Sequence, residues 1–347
     1  MSYPKKLVVL GAGFSCPMGI PAMSGILCRF KKLPWHKSHT WSIHGIDIPE
    51  AKAAHDTFLD WESVDANVEV YGDTLIRMSG HSTFELKRFS RVFIRGLELV
   101  MQSEDQAERE CLWCCLYQRF ARDLLNTPDI EVCTFNYDLL LDQAIMAVGA
   151  LPEYCLGSKE VLYVNEGRPP GVNLLKPNGS LNWLVCDLPF DVCNTVTVKF
   201  DKPDPHLPAN WGTGREKHTG HGRCPHLHSD LHFLMVPPGM KQRPTEWAAL
   251  TSLQRVHERL FDVSRNAEEI YFVGWSAPDT DWDWARKYWG HTRATVHVVG
   301  RNESTDIKGR YCRLVDKSEK DINWHLGPDK GDAKDYSKSD WRKALLS

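Results

Sequence analysis

Short apolar runs recur along the chain, each followed by turn residues or by apolar positions at helical spacing, the rhythm of a parallel sheet wrapped by helices. Six runs are expected strands: Leu7–Leu10, Glu131–Phe135, Val172–Lys176, Leu231–Val236, Ile270–Gly274 and Thr295–Val299. Several are apolar at consecutive positions, which suits strands buried on both faces. The pattern predicts an α/β fold, a doubly wound parallel sheet.

About 120 residues separate the first two strands, more than a simple crossover needs, so a helical insertion is expected at 35–128. Within it Phe84–Met101 reads as one helix. Ser103-Glu104-Asp105-Gln106 reads as a capping box opening a second, through Cys111, Leu112, Leu116, Phe120 and Leu124. Further helices are expected at Tyr137–Val148, closed by Gly149, and at Thr245–Asn266, after Pro244. A short one opens at Thr280-Asp281-Trp282-Asp283 with a capping side chain. The core is then 1–34 with 129–303, interrupted at 186–230 by a Cys- and His-containing insertion and followed at 304–347 by a charged tail. In that tail Asp316–Ser339 reads as surface and Trp341–Leu346 as a closing helix.

Composition narrows the function. Lys plus Arg is 42 against 45 for Asp plus Glu, a net charge of −3, which supplies no basic field for a nucleic-acid backbone. No apolar run approaches the ~20 residues of a membrane helix, and the start is too short for a signal-peptide core. Eleven scattered cysteines do not resemble a secreted disulfide framework. A cytoplasmic chain is expected, with Cys114-Cys115 as buried thiols.

Polar turns follow the apolar strands, where open parallel sheets place their ligand crevice. Leu7-Val8-Val9-Leu10 runs into Gly11-Ala12-Gly13-Phe14-Ser15-Cys16-Pro17, a glycine turn in which absent side chains let a phosphate approach backbone N–H groups. It departs from the dinucleotide fingerprint, since Cys16 stands where a third glycine is expected. Phe135-Asn136-Tyr137-Asp138 sets an amide and a carboxylate two residues apart, suited to ribose hydroxyls, to a water or to capping a helix. Lys176-Pro177-Asn178-Gly179-Ser180-Leu181-Asn182-Trp183, Gly274-Trp275-Ser276-Ala277-Pro278 and Gly300-Arg301-Asn302-Glu303 complete the set. One shared nucleotide crevice accounts for all five.

The order of Gly11-Ala12-Gly13-Phe14-Ser15 with Gly19-Ile20-Pro21, Phe135-Asn136-Tyr137-Asp138, Asn178-Gly179-Ser180-Leu181-Asn182-Trp183, Pro237-Pro238 and Gly274 through Asp281 resembles the bacterial sirtuin-like domains of anti-phage defence proteins, over roughly residues 5 to 303. The resemblance implies a Rossmann-like fold that binds NAD as substrate and releases nicotinamide and ADP-ribose, depleting NAD during infection. It further implies that Gly11, Ala12, Gly13 and Ser15 cradle the phosphates, that Asn136 and Asp138 face the nicotinamide ribose, that Gly274 and Ser276 line the crevice and that Asn302 holds the adenine-side ribose. A homo-oligomer and a defence-system partner protein are expected by the same analogy.

Asn178 is a departure, because the family carries histidine there. An imidazole takes a proton near neutral pH and a carboxamide does not. The alternative reading is thus a weakly active or inactive NAD- or ADP-ribose-binding module, and His81 and His228 are the substitutes weighed. His218, His221, Cys224, His226 and His228 have spacing that suits zinc, but a polar loop is the favoured reading and no metal ligand is assigned. Trp282, Trp284 and Trp289 on one short helix read as core or an oligomer interface.

Overall fold

The computed structural model describes residues 4–18, 113–156, 159–162, 170–186, 196–199, 231–235, 251–278, 281–301, 303–327, 336 and 339–347. The expected helix at Phe84–Met101, the start of the one expected from Ser103, most of the Cys- and His-containing insertion, and Pro237-Pro238 lie outside these residues.

A parallel sheet of seven strands organises the fold: β1 (Lys6–Leu10), β2 (Ile130–Thr134), β3 (Leu151–Glu153), β5 (Gly171–Leu175), β9 (Glu269–Val273), β10 (Thr295–Gly300) and β11 (Ile322–Leu326), in the order β11-β10-β9-β1-β2-β5-β3. Every neighbouring pair is parallel. β1 is central and wholly buried, as its unbroken apolar run requires. The chain leaves it to build one half of the sheet through β2 and returns on its other side with β9. The order therefore reverses at β1, and the loops after β1, β2 and β9 emerge side by side where open α/β sheets hold their ligands.

Helices cover both faces, and the strand period shows how. Side chains of successive strand residues point to opposite faces. Glu131 on β2 points to helix α4 (Thr251–Asn266), where Arg259 donates to both its carboxylate oxygens at 3.0 and 2.7 Å. Lys6, level with Ile130, faces the other way and donates to the last carbonyls, Ala344 and Leu345, of α7 (Asp340–Leu346). On that face α7 is tied by an Arg342–Asp123 ion pair to α2 (Gln118–Asn126). Leu116, Phe120 and Leu124 are buried at the spacing expected of that helix, which continues a π-helical turn, Trp113–Tyr117, that holds Cys114 and Cys115. Helix α3 (Leu140–Ala147) follows β2 and ends at Gly149, whose φ of +82° suits glycine.

Two expectations are corrected. Leu231–Val236 does not join the parallel sheet: as β8 (Leu231–Met235) it pairs antiparallel with β6 (Gly179–Cys186) in a second sheet of order β4-β7-β6-β8, completed by β4 (Lys159–Leu162) and β7 (Val196–Lys199). An apolar run does not reveal which sheet takes it. The stretch after Gly300 is no featureless tail either. It holds α6 (Thr305–Val315), capped by the Ser304 hydroxyl, and the edge strand β11. Ile322 of β11 is buried while Asn323 is exposed, and one bonded neighbour leaves the strand polar enough to resemble surface.

Candidate functional site

The crevice begins with two glycines. The register aligns Leu10 with Thr134 on one side and Val273 on the other, so the three strands end together. The Gly11 amide donates to the Val273 carbonyl at 3.0 Å and the Gly13 amide to that of Gly274 at 2.8 Å. A Cβ on Gly11 would lie 2.5 Å from Cα of Trp275, and one on Gly13 would lie 2.8 Å from the Gly274 oxygen. Both amides are engaged by protein, which revises the expectation that they face a phosphate: the glycines let two backbone segments touch. Ala12 opens α1 (Ala12–Ser15), a single turn that delivers Ser15 to the next loop.

Ser15, Asn136 and Asp138 form one hydrogen-bonded unit. The Asn136 amide nitrogen donates to the Gly11 carbonyl and to the Ser15 hydroxyl, each at 3.0 Å, and Ser15 donates onward to Oδ2 of Asp138 at 3.0 Å. The Gly11 carbonyl can only accept, which fixes the Asn136 amide with nitrogen inward. Both Nδ2 hydrogens are then used, and Oδ1 is the acceptor this partly exposed side chain has left to offer. Asp138 also accepts from the Leu140 amide at 3.0 Å with one oxygen while the other holds Ser15; the N-cap of the following helix is Leu139, with no side-chain cap, so Asp138 is not the cap weighed for it. Burial raises the Asp138 pKa, opposed by the Lys176 charge and by the Leu140 and Ser15 bonds, with Asp142 adding to the rise.

The turn after β5 closes the unit from the far side. Lys176 is buried, donates to the Asp138 backbone carbonyl at 2.7 Å and pairs with Asp142 at 3.0 Å. Tyr154 donates to the other Asp142 oxygen and accepts from Asn182 at 3.3 Å. Lys176-Pro177-Asn178-Gly179 is a turn closed by the Gly179 amide on the Lys176 carbonyl, after which β6 begins; Ser180-Leu181-Asn182-Trp183, expected as part of a strand-end loop, is strand. Buried Asn178 donates to the Phe135 carbonyl at 3.2 Å, immediately before Asn136. Asn136, Asp138, Asn178 and Ser15 are thus brought together.

The β9 loop supplies the opposite wall. Gly274 has φ +62° and donates to the Val299 carbonyl, and Ala277, buried, takes φ +47°, a left-handed conformation that costs a non-glycine residue energy. Ser276 is exposed. The Trp275 ring packs against Phe135, Phe272 and Trp289, with centroids 5.7, 5.5 and 5.5 Å away. Its indole donates to Asp281, the residue before α5 (Trp282–Trp289), whose side chain makes no cap to that helix and is buried instead. Buried Trp289 and partly buried Trp284 join this aromatic cluster. Asn302 lies outside the described residues, as do His81, His228 and the His218–His228 stretch. Among the described residues no group of three or more His, Cys, Asp or Glu is placed to hold a metal, and Cys133 and Cys312 form no disulfide.

One residue the sequence reading missed is His257 on α4. It hydrogen-bonds the Pro177 carbonyl, next to Asn178, and its Nδ1 lies 2.5 Å from the Tyr288 hydroxyl. Nothing in a long amphipathic helix singles out this position. Burial lowers its pKa to about 4, with Lys287 adding to the fall and the Pro177 bond opposing it. His257 stays neutral in the folded protein down to about pH 4, whereas in the unfolded chain it charges at the usual 6.5. Between these values the unfolded chain holds more protons, so stability falls as pH drops through that window; His297, also lowered to about 4, acts in the same sense. Urea unfolding at pH 7 and pH 5 should show a smaller loss in His257→Gln than in the parent. Equal losses would remove His257 as a source of the acid sensitivity.

No family model and no curated protein matches the chain. Solved structures with a similar fold are a Sir2 homologue in complex with NAD (15% identity, TM-score 0.41, covering 99% of this chain and 91% of that one) and a mutant Sir2 homologue with ADP-ribose (16%, 0.39, 93% and 86%). A sirtuin structure concerned with substrate affinity is a third (12%, 0.39, 99% and 94%). Among the described residues no helix is long and apolar enough to cross a membrane.

Proposed function

We propose that the crevice above β1, β2 and β9 takes NAD and hydrolyses its nicotinamide–ribose bond. The observation that carries this is the Asn136–Ser15–Asp138 unit at the point where the strand order reverses: a fixed amide with a free acceptor oxygen, beside a buried carboxyl oriented by a hydroxyl. Hydrolysis breaks the C1′–N bond, the electron pair leaves with nicotinamide, a water oxygen bonds to C1′ and its proton passes to solvent, giving ADP-ribose. Such a reaction needs positioning and hydrogen bonding to an electron-poor ribose more than a strong base.

Asn136 Oδ1 would accept from the attacking water or a ribose hydroxyl, and Asp138 and Ser15 would hold that amide and the ribose. Gly11, Ala12, Gly13, Gly274 and Ser276 would shape the phosphate side, and Asn302 would meet the adenine-side ribose. Asn178 orients the Phe135 carbonyl but takes no proton, so turnover relies on nicotinamide as a good leaving group. By the resemblance noted above, the activity serves anti-phage defence through NAD depletion, in a homo-oligomer with a partner protein.

Purified protein incubated with NAD and resolved by chromatography should yield nicotinamide and ADP-ribose in equal amounts. In Asn178→His the rate should rise roughly tenfold or more, since a positioned general base contributes about 10²–10⁴-fold where it is used in full. A thermal shift with NAD but no release by either protein would support the silent-binder alternative. No shift and no release would overturn the NAD reading.

A further inference from the structure

Lys176 has no part in the chemistry above, yet its ammonium sits at the back of the site. It is wholly buried, and a buried charge is costly unless it is paired and its protons are used. Two of its partners are explicit: the Asp138 backbone carbonyl at 2.7 Å and Oδ2 of Asp142 at 3.0 Å. The first lies on the residue whose carboxyl receives Ser15. The second lies in the first turn of α3 and is itself held by Tyr154, which Asn182 of β6 contacts in turn. Lys176 also starts the turn that presents Asn178. A single side chain therefore joins the loop bearing Asn136 and Asp138 to the turn bearing Asn178, and brings a positive charge beneath a carboxyl that has been removed from water.

We propose that Lys176 is a positioning residue of this site: anchored by Asp142, its ammonium fixes the Asp138 backbone and with it the carboxyl that accepts from Ser15. Its positive charge also opposes the effect of burial on that carboxyl. The functional half of this inference rests on the NAD reading; the electrostatic half does not. Without a cation, burial favours the neutral carboxylic acid, which would compete with Ser15 as a donor and unsettle the hydroxyl that receives the Asn136 amide. Among the described residues Lys176 and Asp142 are the charged groups that act on Asp138, with opposite signs, the Lys176 effect being the larger. Removal of the lysine charge thus raises the Asp138 pKa, and removal of both charges raises it less.

The test compares the parent, Lys176→Met and the double variant Lys176→Met with Asp142→Asn, the last leaving no uncompensated carboxylate should the single variant fold poorly. The Asp138 carboxyl carbon is followed against pH by NMR in the protein without NAD, its resonance assigned from its loss in Asp138→Asn. The titration midpoint should move upward by ~1 pH unit or more in Lys176→Met, as expected for loss of an opposite charge at short range, with the double variant between it and the parent. In nicotinamide-release assays the acidic limb of the rate profile should move in the same order, with kcat falling more than KM rises. A merely structural lysine would lower the amount of folded protein without moving either midpoint. Folded variants with the parent midpoint would overturn the proposal. A parent that neither binds nor cleaves NAD would overturn the functional reading alone, since the NMR midpoints still decide what Lys176 does to Asp138.

Discussion

Asn136→Ala is expected to reduce nicotinamide release at least ~10²-fold, the order lost when one preorganised hydrogen-bonding group is taken from an active site, while leaving a folded protein. The substitution removes the acceptor Oδ1 and both inward donations, to the Gly11 carbonyl and the Ser15 hydroxyl. The side chain is only partly buried, so water can reach the groups left behind and the stability cost should stay at about 1–2 kcal/mol. The separation of these effects makes the experiment informative: chromatography reads the activity and a urea titration reads the fold. Asn136→Asp sharpens it, because an inward carboxylate oxygen would oppose the Gly11 carbonyl and could not supply the donations. Undiminished release by Asn136→Ala would place the chemistry elsewhere in the molecule.

The second large effect is expected at Gly11, where stability and binding fall together. In Gly11→Ala the new methyl group would lie 2.5 Å from the Trp275 Cα and 2.7 Å from the Gly274 oxygen, atoms of a backbone that cannot rotate aside. Relief requires the β1 and β9 loops to part, stretching the Gly11–Val273 and Gly13–Gly274 hydrogen bonds. Overpacking of this kind costs about 1–3 kcal/mol, and thermal melts should show a lowered Tm. The Asn136 amide loses its alignment as well, since its acceptor is the carbonyl of the same glycine. A variant as stable and as responsive to NAD as the parent would show that the two loops need not touch.

The sheet was legible where burial leaves a pattern. β1 and β9 sit between neighbours on both sides, so their apolar residues run on without polar alternation, and the sequence shows them as such. β6 was illegible because Ser180 and Asn182, both buried polar residues, resemble turn residues when read along the chain. β11 was hidden by its polar edge positions. The site shows the same division. Asn136, Asp138 and Ser15 could be named because each ends an apolar strand or begins a turn, but the bond between Asn136 and Ser15 joins residues 121 positions apart, and no local pattern reports that. Lys176 was visible as the edge of a motif and not as an ion pair. His257, on an outer helix, had no signal at all.

The central place of β1 also sets an order in time. During synthesis the glycine loop is made long before β9, yet the carbonyl acceptors of its Gly11 and Gly13 amides belong to Val273 and Gly274. A nascent chain that already carries Asn136, Asp138 and Lys176 has half a sheet and one wall of a crevice. Contacts so distant in sequence form late and slowly. A product that stops short of β9 therefore lacks the opposite wall of the crevice and cannot carry the activity proposed for it.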